Sequence, residues 1–484
     1  MTLPSDRNAN LPSARDRGVI LTLLIAAFVV ILNETIMNVA LPRLMTELKV
    51  GATTVQWLAT AFMLTMAVVI PTTGFILQRF STRQVFLAAM GLFCLGTLIA
   101  GAATGFEVLL LGRVVQASGT ALMLPLLITT ILNLVPPEGR GATMGRVSIV
   151  ISVAPAIGPT LSGLILEALS WRFMFLLVLP VALAVLAYGA ARLTNVGEAR
   201  SQRLDLPSVL LSLPGFGGLV YGFSKAGEPG GWGNPAALAA LVVAGLCLTL
   251  FVWRQLGLQR RDAALLDLRV FGHGAFALST ALMVVAMMSL FGGAILLPIY
   301  LQNIRSLGSL ETGLLLLPGG LLMGLAAPTV GRLFDRHGPL PLSVPGAALL
   351  VISLGGFATV TASTPVALLL ALHLVFSLGL ALLFTPVMTS GLNALPGPLY
   401  PHGSAVMSTL QMVAGAVGTA LLVTVMTARV AAERSADPAL AQVAGLHAAF
   451  AVAAGIGAVA LVLSLFLRRA SRAHDHLTPA QASD

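Results

Sequence analysis

Fourteen apolar runs, each about twenty residues long, succeed one another along the chain at roughly 18–41, 54–77, 84–104, 107–133, 143–167, 172–192, 206–225, 235–254, 274–301, 312–334, 341–361, 364–388, 404–428 and 444–467. A run of that length, coiled as an α-helix, matches the hydrocarbon thickness of a bilayer. Lipid offers the backbone no hydrogen-bond partner, so such runs fold as helices that satisfy themselves. The fold class expected is therefore an all-α polytopic membrane protein. Composition agrees: of 484 residues, 57% are hydrophobic and 9% charged, against about 25% charged in a soluble domain. The first 17 residues are polar and Arg-bearing, with no apolar core or small-residue cleavage site, so the run from Val19 is read as an uncleaved first span.

The formal charge of +9 does not point to nucleic acid, because the basic residues sit in short loops between apolar runs. Arg7, Arg15 and Arg17 precede the first run. Alternate loops then carry Arg79 and Arg83, Arg140 and Arg146, Arg192, Arg200 and Arg203, Arg254, Arg260, Arg261 and Arg269, and Arg332 and Arg336; Arg468, Arg469 and Arg472 follow the last run. About 19 of the 27 Lys and Arg fall on this side and about 7 on the other, which predicts cytoplasmic termini. Cys94 and Cys247 lie apart in apolar runs, without a Cys/His cluster at ligand spacing, and read as small apolar fillers rather than a disulfide or a metal site.

An internal repeat organises the chain. Gly74-Phe75-Ile76-Leu77-Gln78-Arg79-Phe80-Ser81 follows the second run, and Gly331-Arg332-Leu333-Phe334-Asp335-Arg336-His337-Gly338 follows the tenth. The two copies occupy equivalent places if the seventh and eighth runs are an insert. The expected organisation is an arm over 1–17, a six-helix half over 18–192, a linker with two additional spans over 193–273, a second six-helix half over 274–467 and a tail over 468–484.

Further motifs carry a resemblance. The first span reads Leu32-Asn33-Glu34-Thr35-Ile36-Met37-Asn38-Val39-Ala40-Leu41-Pro42; the fourth reads Arg113-Val114-Val115-Gln116-Ala117-Ser118-Gly119. The fifth contains Ala154-Pro155-Ala156-Ile157-Gly158-Pro159-Thr160-Leu161-Ser162-Gly163, followed by Trp171-Arg172. Leu297-Pro298-Ile299-Tyr300-Leu301-Gln302 and His402-Gly403-Ser404-Ala405 add two more. With the loop motif, these resemble the major facilitator superfamily and, within it, the fourteen-helix drug:proton antiporters of the EmrB/QacA type. The resemblance covers about Leu21 to Leu467. It implies two six-helix halves plus two extra central helices, a bacterial inner-membrane location, alternating access, and the proton gradient rather than a cofactor as energy source. The sequence departs from the family pattern at Asn33, where an Asp is usual and the carboxylate comes one residue later at Glu34. It departs again at Gln78 and Ser81, where the loop motif has Asp and Gly.

Glu34 is the one acidic residue placed within hydrocarbon depth. A carboxylate there is costly unless neutral or paired. Burial favours the protonated form and water or a cation the charged one, so a change of surroundings lets it load and release a proton. Met37, Asn38 and Leu41 share its helix face, with Asn33 beside it. Arg113 keeps its charge at ordinary pH and needs an acceptor; Glu34 and Arg113 are the proton-coupling candidates. Asn33, Met37, Asn38, Trp57, Phe62, Gln116 and Gln302 are the candidates for substrate contact.

The conformational candidates are Gly74, Arg79 and Arg83, Pro155, Gly158, Pro159 and Gly163, and Gly331, Asp335 and Arg336. Small residues let helices approach closely and prolines favour kinks, so the fifth span reads as a seam between the halves. Asp335 is expected to accept from Arg332 or Arg336 or to cap a helix; Gln78 is uncharged, so the first copy is expected to latch more weakly. His373, about 12 Å into the twelfth span, reads as a hydrogen-bonded structural residue.

No Walker motif, G-x-S-x-G elbow, H-E-x-x-H or catalytic carboxylate pair occurs, so neither an enzyme nor an ATP-driven pump is expected. The function expected is proton-coupled antiport exporting hydrophobic, amphipathic or cationic small molecules. The partners are protons and the lipid bilayer, with no nucleic acid, and no feature points to an auxiliary periplasmic protein. A dedicated exporter of one metabolite or antibiotic, or a symporter, is the alternative on the same fold.

Overall fold

The computed structural model describes residues 14–196, 205–226, 231–433 and 438–475. Arg7, Arg200 and Arg203 lie outside them, as do the side chains of Asn38, Pro159, Arg468, Arg469 and Arg472. The expected fourteen spans are present. The first seven run Arg15–Met37, Thr54–Arg79, Thr82–Gly101, Phe106–Leu134, Pro137–Ala168, Phe173–Arg192 and Leu206–Ala226. The remaining seven run Pro235–Arg261, Gly274–Ile304, Glu311–His337, Leu340–Phe357, Val366–Asn393, Gly397–Ala432 and Leu440–Leu467. An even number of crossings brings the two ends of the described chain to one face of the bundle, here the terminal face.

Helix is favoured throughout by long runs of Leu, Ala and Met. Internal prolines, at Pro125, Pro214, Pro318, Pro328, Pro345 and Pro386, are carried without ending the helices. Pro298 has a local consequence: the ninth span ends in a π-helical turn over Tyr300–Ile304. A proline removes a backbone donor, and a widened turn re-pairs the ladder beyond it. Gln302 is exposed on that turn.

Two six-helix halves meet along one dominant seam, the fifth span against the tenth. The seventh and eighth spans form a hairpin whose helices pack mainly on each other, with the seventh also touching the second and thirteenth. At its base Arg254 donates through Nε and Nη2 to the two oxygens of Asp205, each at 2.7 Å. Gln255 Nε2 donates to Ser208 Oγ at 2.7 Å, while Gln255 Oε1 accepts from the amides of Leu265 and Leu266. The Arg254 guanidinium, with Ser208, holds the Asp205 carboxyl down at about 2.

Candidate functional site

The halves are bonded to each other at the terminal face. Among the described residues, Gln78 Nε2 donates to the Pro398 carbonyl at 2.8 Å, and Thr129 and Ser404 share a hydrogen bond of 3.0 Å. Ser148 and Thr385 share one of 2.7 Å. Asp335 accepts from the Gly141 amide through Oδ1 and from the Ala142 amide through Oδ2, both at 2.8 Å. Asp335 thus takes backbone amides in the second turn of the fifth span, across the seam, rather than Arg332 or Arg336. Arg332 instead donates to Thr329, and Arg336 is exposed.

The second and first copies of the loop motif differ at their last position for a physical reason. Gly338 ends the tenth span at φ 75°, a conformation that favours glycine. Ser81 sits in extended conformation and caps the third span through a reciprocal bond with Gln84. Gly74 packs on His402, Arg79 is exposed, and Arg83 donates to the Ala190 carbonyl at 2.6 Å.

Arg140 is a seam residue that charge counting treats only as a topology signal. Buried at 6% exposure, it donates to the carbonyls of Leu132 and Val135 in its own half, and to Asn393 Oδ1 at 2.9 Å and Tyr400 Oη at 3.2 Å in the other. Its guanidinium also lies over the Tyr400 ring. The closest backbone approach is at Gly141 and Gly331, where a Cβ on Gly331 would lie 2.1 Å from the Gly141 carbonyl oxygen. The seam thus runs through Gly141 and Gly145 against Gly331 and Ala327, and through Ala156 against Gly320. Gly158 faces Thr35 of the first span, and Gly163 meets nothing within 4 Å. The sequence placed this seam on the later Pro/Gly ridge; a Gly-x-x-x-Gly spacing at 141–145 and again at 320–324 carried the readable signal.

Further from the terminal face lies the charged site. Arg113 is 1% exposed, and its Nη1 donates to Gln116 Oε1 at 2.7 Å. Gln116 Nε2 in turn donates to Thr97 Oγ1 at 2.8 Å, and Thr97 to the Phe93 carbonyl at 2.6 Å. The Arg113 guanidinium lies 4.0 Å from the centre of the Phe62 ring, so Phe62 acts here on the arginine. Glu34 is half-buried and interacts electrostatically with Arg113, without a direct ion pair. Asn33 Oδ1 and Arg113 Nε are buried and unpartnered. Met37 is 1% exposed, in a cluster with Ile36 and Leu58. Trp57 stacks on Tyr221 of the seventh span with ring centres 6.0 Å apart, which ties the hairpin to the second span. Along the fourth span, Thr129 of the closed seam lies about 24 Å beyond Arg113.

The fifth span and the ninth, tenth, eleventh, twelfth and fourteenth line a cavity of about 250 Å³. Pro155 and Ala156 line it on one side, and Met323, Phe357, His373 and Phe376 on the other. His373 Nε2 lies 3.1 Å from the Leu316 carbonyl oxygen, the hydrogen bond expected of it, but the ring is also part of the cavity wall. The cavity was not legible in the sequence, because its residues come from six spans far apart in the chain.

Comparison with known proteins agrees with this architecture. The Major Facilitator Superfamily profile matches residues 23–419. The MFS-type transporter YcnB of Bacillus subtilis is 42% identical over 94% of this chain and 96% of its own. The lincomycin resistance protein LmrB of Listeria innocua is 41% identical over 93% of this chain and 97% of its own. Among solved structures, the proton:xylose symporter XylE superposes with TM-score 0.65 at 16% identity, covering 95% of this chain and 96% of that one. Fourteen spans in two six-helix halves around a central pair, and relatives matched along nearly their whole length, make this chain a multi-pass membrane transporter belonging to the Major Facilitator Superfamily.

Proposed function

We propose that this protein exports hydrophobic and amphipathic small molecules from the cytoplasm in exchange for protons, with both termini cytoplasmic in a bacterial inner membrane. The names of its relatives support efflux: LmrB of Listeria innocua is a lincomycin resistance protein, and a 28% identical protein of Streptomyces glaucescens is a tetracenomycin C resistance and export protein. With the terminal face cytoplasmic, the bonded seam closes the cytoplasmic path and leaves Glu34 and Arg113 on the outward side of the seal.

The observation that carries proton coupling is the state of those two groups. Glu34 is half-buried beside an arginine that is held by Gln116 and Phe62 rather than by the carboxylate. An acid in that position takes a proton from the outer water and becomes neutral. Reversal of the seam opens the site to the cytoplasm, where a strengthened pairing with Arg113 and a lower proton concentration release it. Cargo entering from that side replaces the proton as the species that permits the return.

The test is a susceptibility panel in a pump-deficient bacterial host, with and without a protonophore. Wild-type protein confers resistance that the protonophore removes, and Glu34→Gln confers none at equal membrane expression. Full resistance from Glu34→Gln removes the acid from the mechanism. A second reading, a dedicated exporter of one antibiotic, is favoured by the single compound in LmrB's name; resistance confined to one chemical class in the same panel selects it.

A further inference from the structure

We propose that the cavity between the fifth span and the last six takes neutral lipophilic molecules bearing an N–H or O–H donor, and that His373 reads that donor. The inference rests on the export reading and narrows its cargo.

Charge is the first argument. Among the described residues no Asp, Glu, Lys or Arg lines the cavity; its polar wall is His373 with Ser152 and Ser377. An ion moved from water into such a space leaves its hydration without gaining a counter-charge, at a cost of several kcal/mol. A permanent cation is therefore disfavoured, and a neutral molecule buries its apolar surface against Met323, Phe357 and Phe376 without that cost.

The histidine supplies the second. A carbonyl oxygen only accepts, so the bond from His373 Nε2 to Leu316 places the ring proton on Nε2. Neutral His373 then keeps a lone pair on Nδ1, an atom that is buried with no partner on a ring that lines the cavity. Ser152 spends its hydroxyl proton on the Ser148 carbonyl at 2.7 Å, and Ser377 adds a second hydroxyl side chain to the wall.

The arrangement is held in place. His373 stacks on Phe376 with ring centres 6.5 Å apart. A Cβ at position 319 would lie 2.2 Å from His373 Nε2 and 2.5 Å from Ser377 Oγ, so Gly319 is what allows both to sit against the tenth span. An unsatisfied acceptor in an apolar wall selects for the molecule that satisfies it, because a ligand without a donor leaves it orphaned on binding.

Calorimetry on the full chain in nanodiscs, with empty nanodiscs subtracted, tests this with three probes. N-phenyl-1-naphthylamine is neutral with one N–H, its N-methyl derivative is neutral with none, and tetraphenylphosphonium is a permanent cation. Wild-type protein should bind the amine at least tenfold more tightly than either of the others. His373→Leu should abolish the preference between the amine and its N-methyl derivative. Should that variant misfold, the wild-type comparison stands alone, and Met323→Trp, which fills the cavity, should lose the amine. Equal affinity for the amine and its methylated form, tighter binding of the phosphonium, or no binding of the amine overturns the proposal. If wild-type protein shows the preference for the amine and Glu34→Gln still confers full resistance, the proton-coupled reading fails while the cavity assignment stands.

Discussion

The first six spans hold two intramembrane charges, Glu34 and Arg113, the arginine bonded through Gln116 to Thr97; the last six supply most of the wall of a cavity with no charge in that wall among the described residues. Under the proposed export function, the contrast separates two tasks that a single pocket would have to combine. A proton site needs a group whose charge can change at tolerable cost, so it needs a cation and water nearby. A site for greasy cargo needs apolar surface and few polar groups, each placed to discriminate. The fifth span is the one element common to both regions: its Gly158 packs on the first span beside the acid, and its Pro155 and Ala156 line the cavity.

The division of labour can be broken by swapping the damage. Met323→Trp fills the cavity and leaves the charged network untouched, so export should fall at least a hundredfold while the protein remains monodisperse in gel filtration. Retained export would place the cargo elsewhere. Arg113→Lys keeps the charge but loses the fork that engages Gln116 and the flat stack on Phe62. Export should drop about tenfold or more, with affinity for N-phenyl-1-naphthylamine unchanged in nanodisc calorimetry.

The two loop-motif copies sharpen the same comparison, because both close one face by different chemistry. Asp335 takes two amide hydrogen bonds onto a carboxylate, whereas Gln78 gives one neutral bond to a carbonyl. Charge-assisted bonds are roughly twice as strong as neutral ones. Asp335→Asn should therefore shift the population toward the state open at the terminal face about fivefold or more, read as faster labelling of a cysteine placed at Thr385. Gln78→Ala should change that labelling by about twofold or less.

The smallest effect belongs to the hairpin. The Asp205 carboxyl is held down at about 2 by Arg254. Its stabilisation is present in full above the ordinary carboxylate range, declines as pH falls below that range, and is lost as pH falls through about 2. Proteolysis of the loop between the sixth and seventh spans should therefore accelerate on acidification with an acid-stable protease, and Asp205→Asn should remove that acceleration.

Most of the membrane architecture was legible because lipid imposes one solution: every span is a run of apolar residues long enough to cross, and its boundaries follow the charges. The charged site was legible in part, since Glu34 and Arg113 stand out in apolar helices. What held Arg113 did not stand out, because Thr97 lies on another helix and looks like any hydroxyl in a span. Phe62 and Trp57, named from the sequence as cargo contacts, turn instead to Arg113 and Tyr221; an aromatic side chain in a helix does not declare which neighbour it will meet. The fifth-span seam was legible in part: Ala156 of the Pro/Gly ridge meets Gly320, but the tightest approach is made by glycines at 141 and 145, before that ridge. Asp335 was expected to accept from Arg332 or Arg336 or to cap a helix; that it takes the Gly141 and Ala142 amides of the other half is something no residue type announces.

Under the proposed function, movement of cargo and movement of protons are one process through Glu34. Proteoliposomes loaded with a pH-sensitive dye and given a gradient of N-phenyl-1-naphthylamine, with no imposed pH difference, measure this directly. Wild-type protein should drive protons against the direction of the amine and change the luminal pH, and Glu34→Gln should leave the luminal pH flat. A luminal pH change of wild-type size from Glu34→Gln would contradict it.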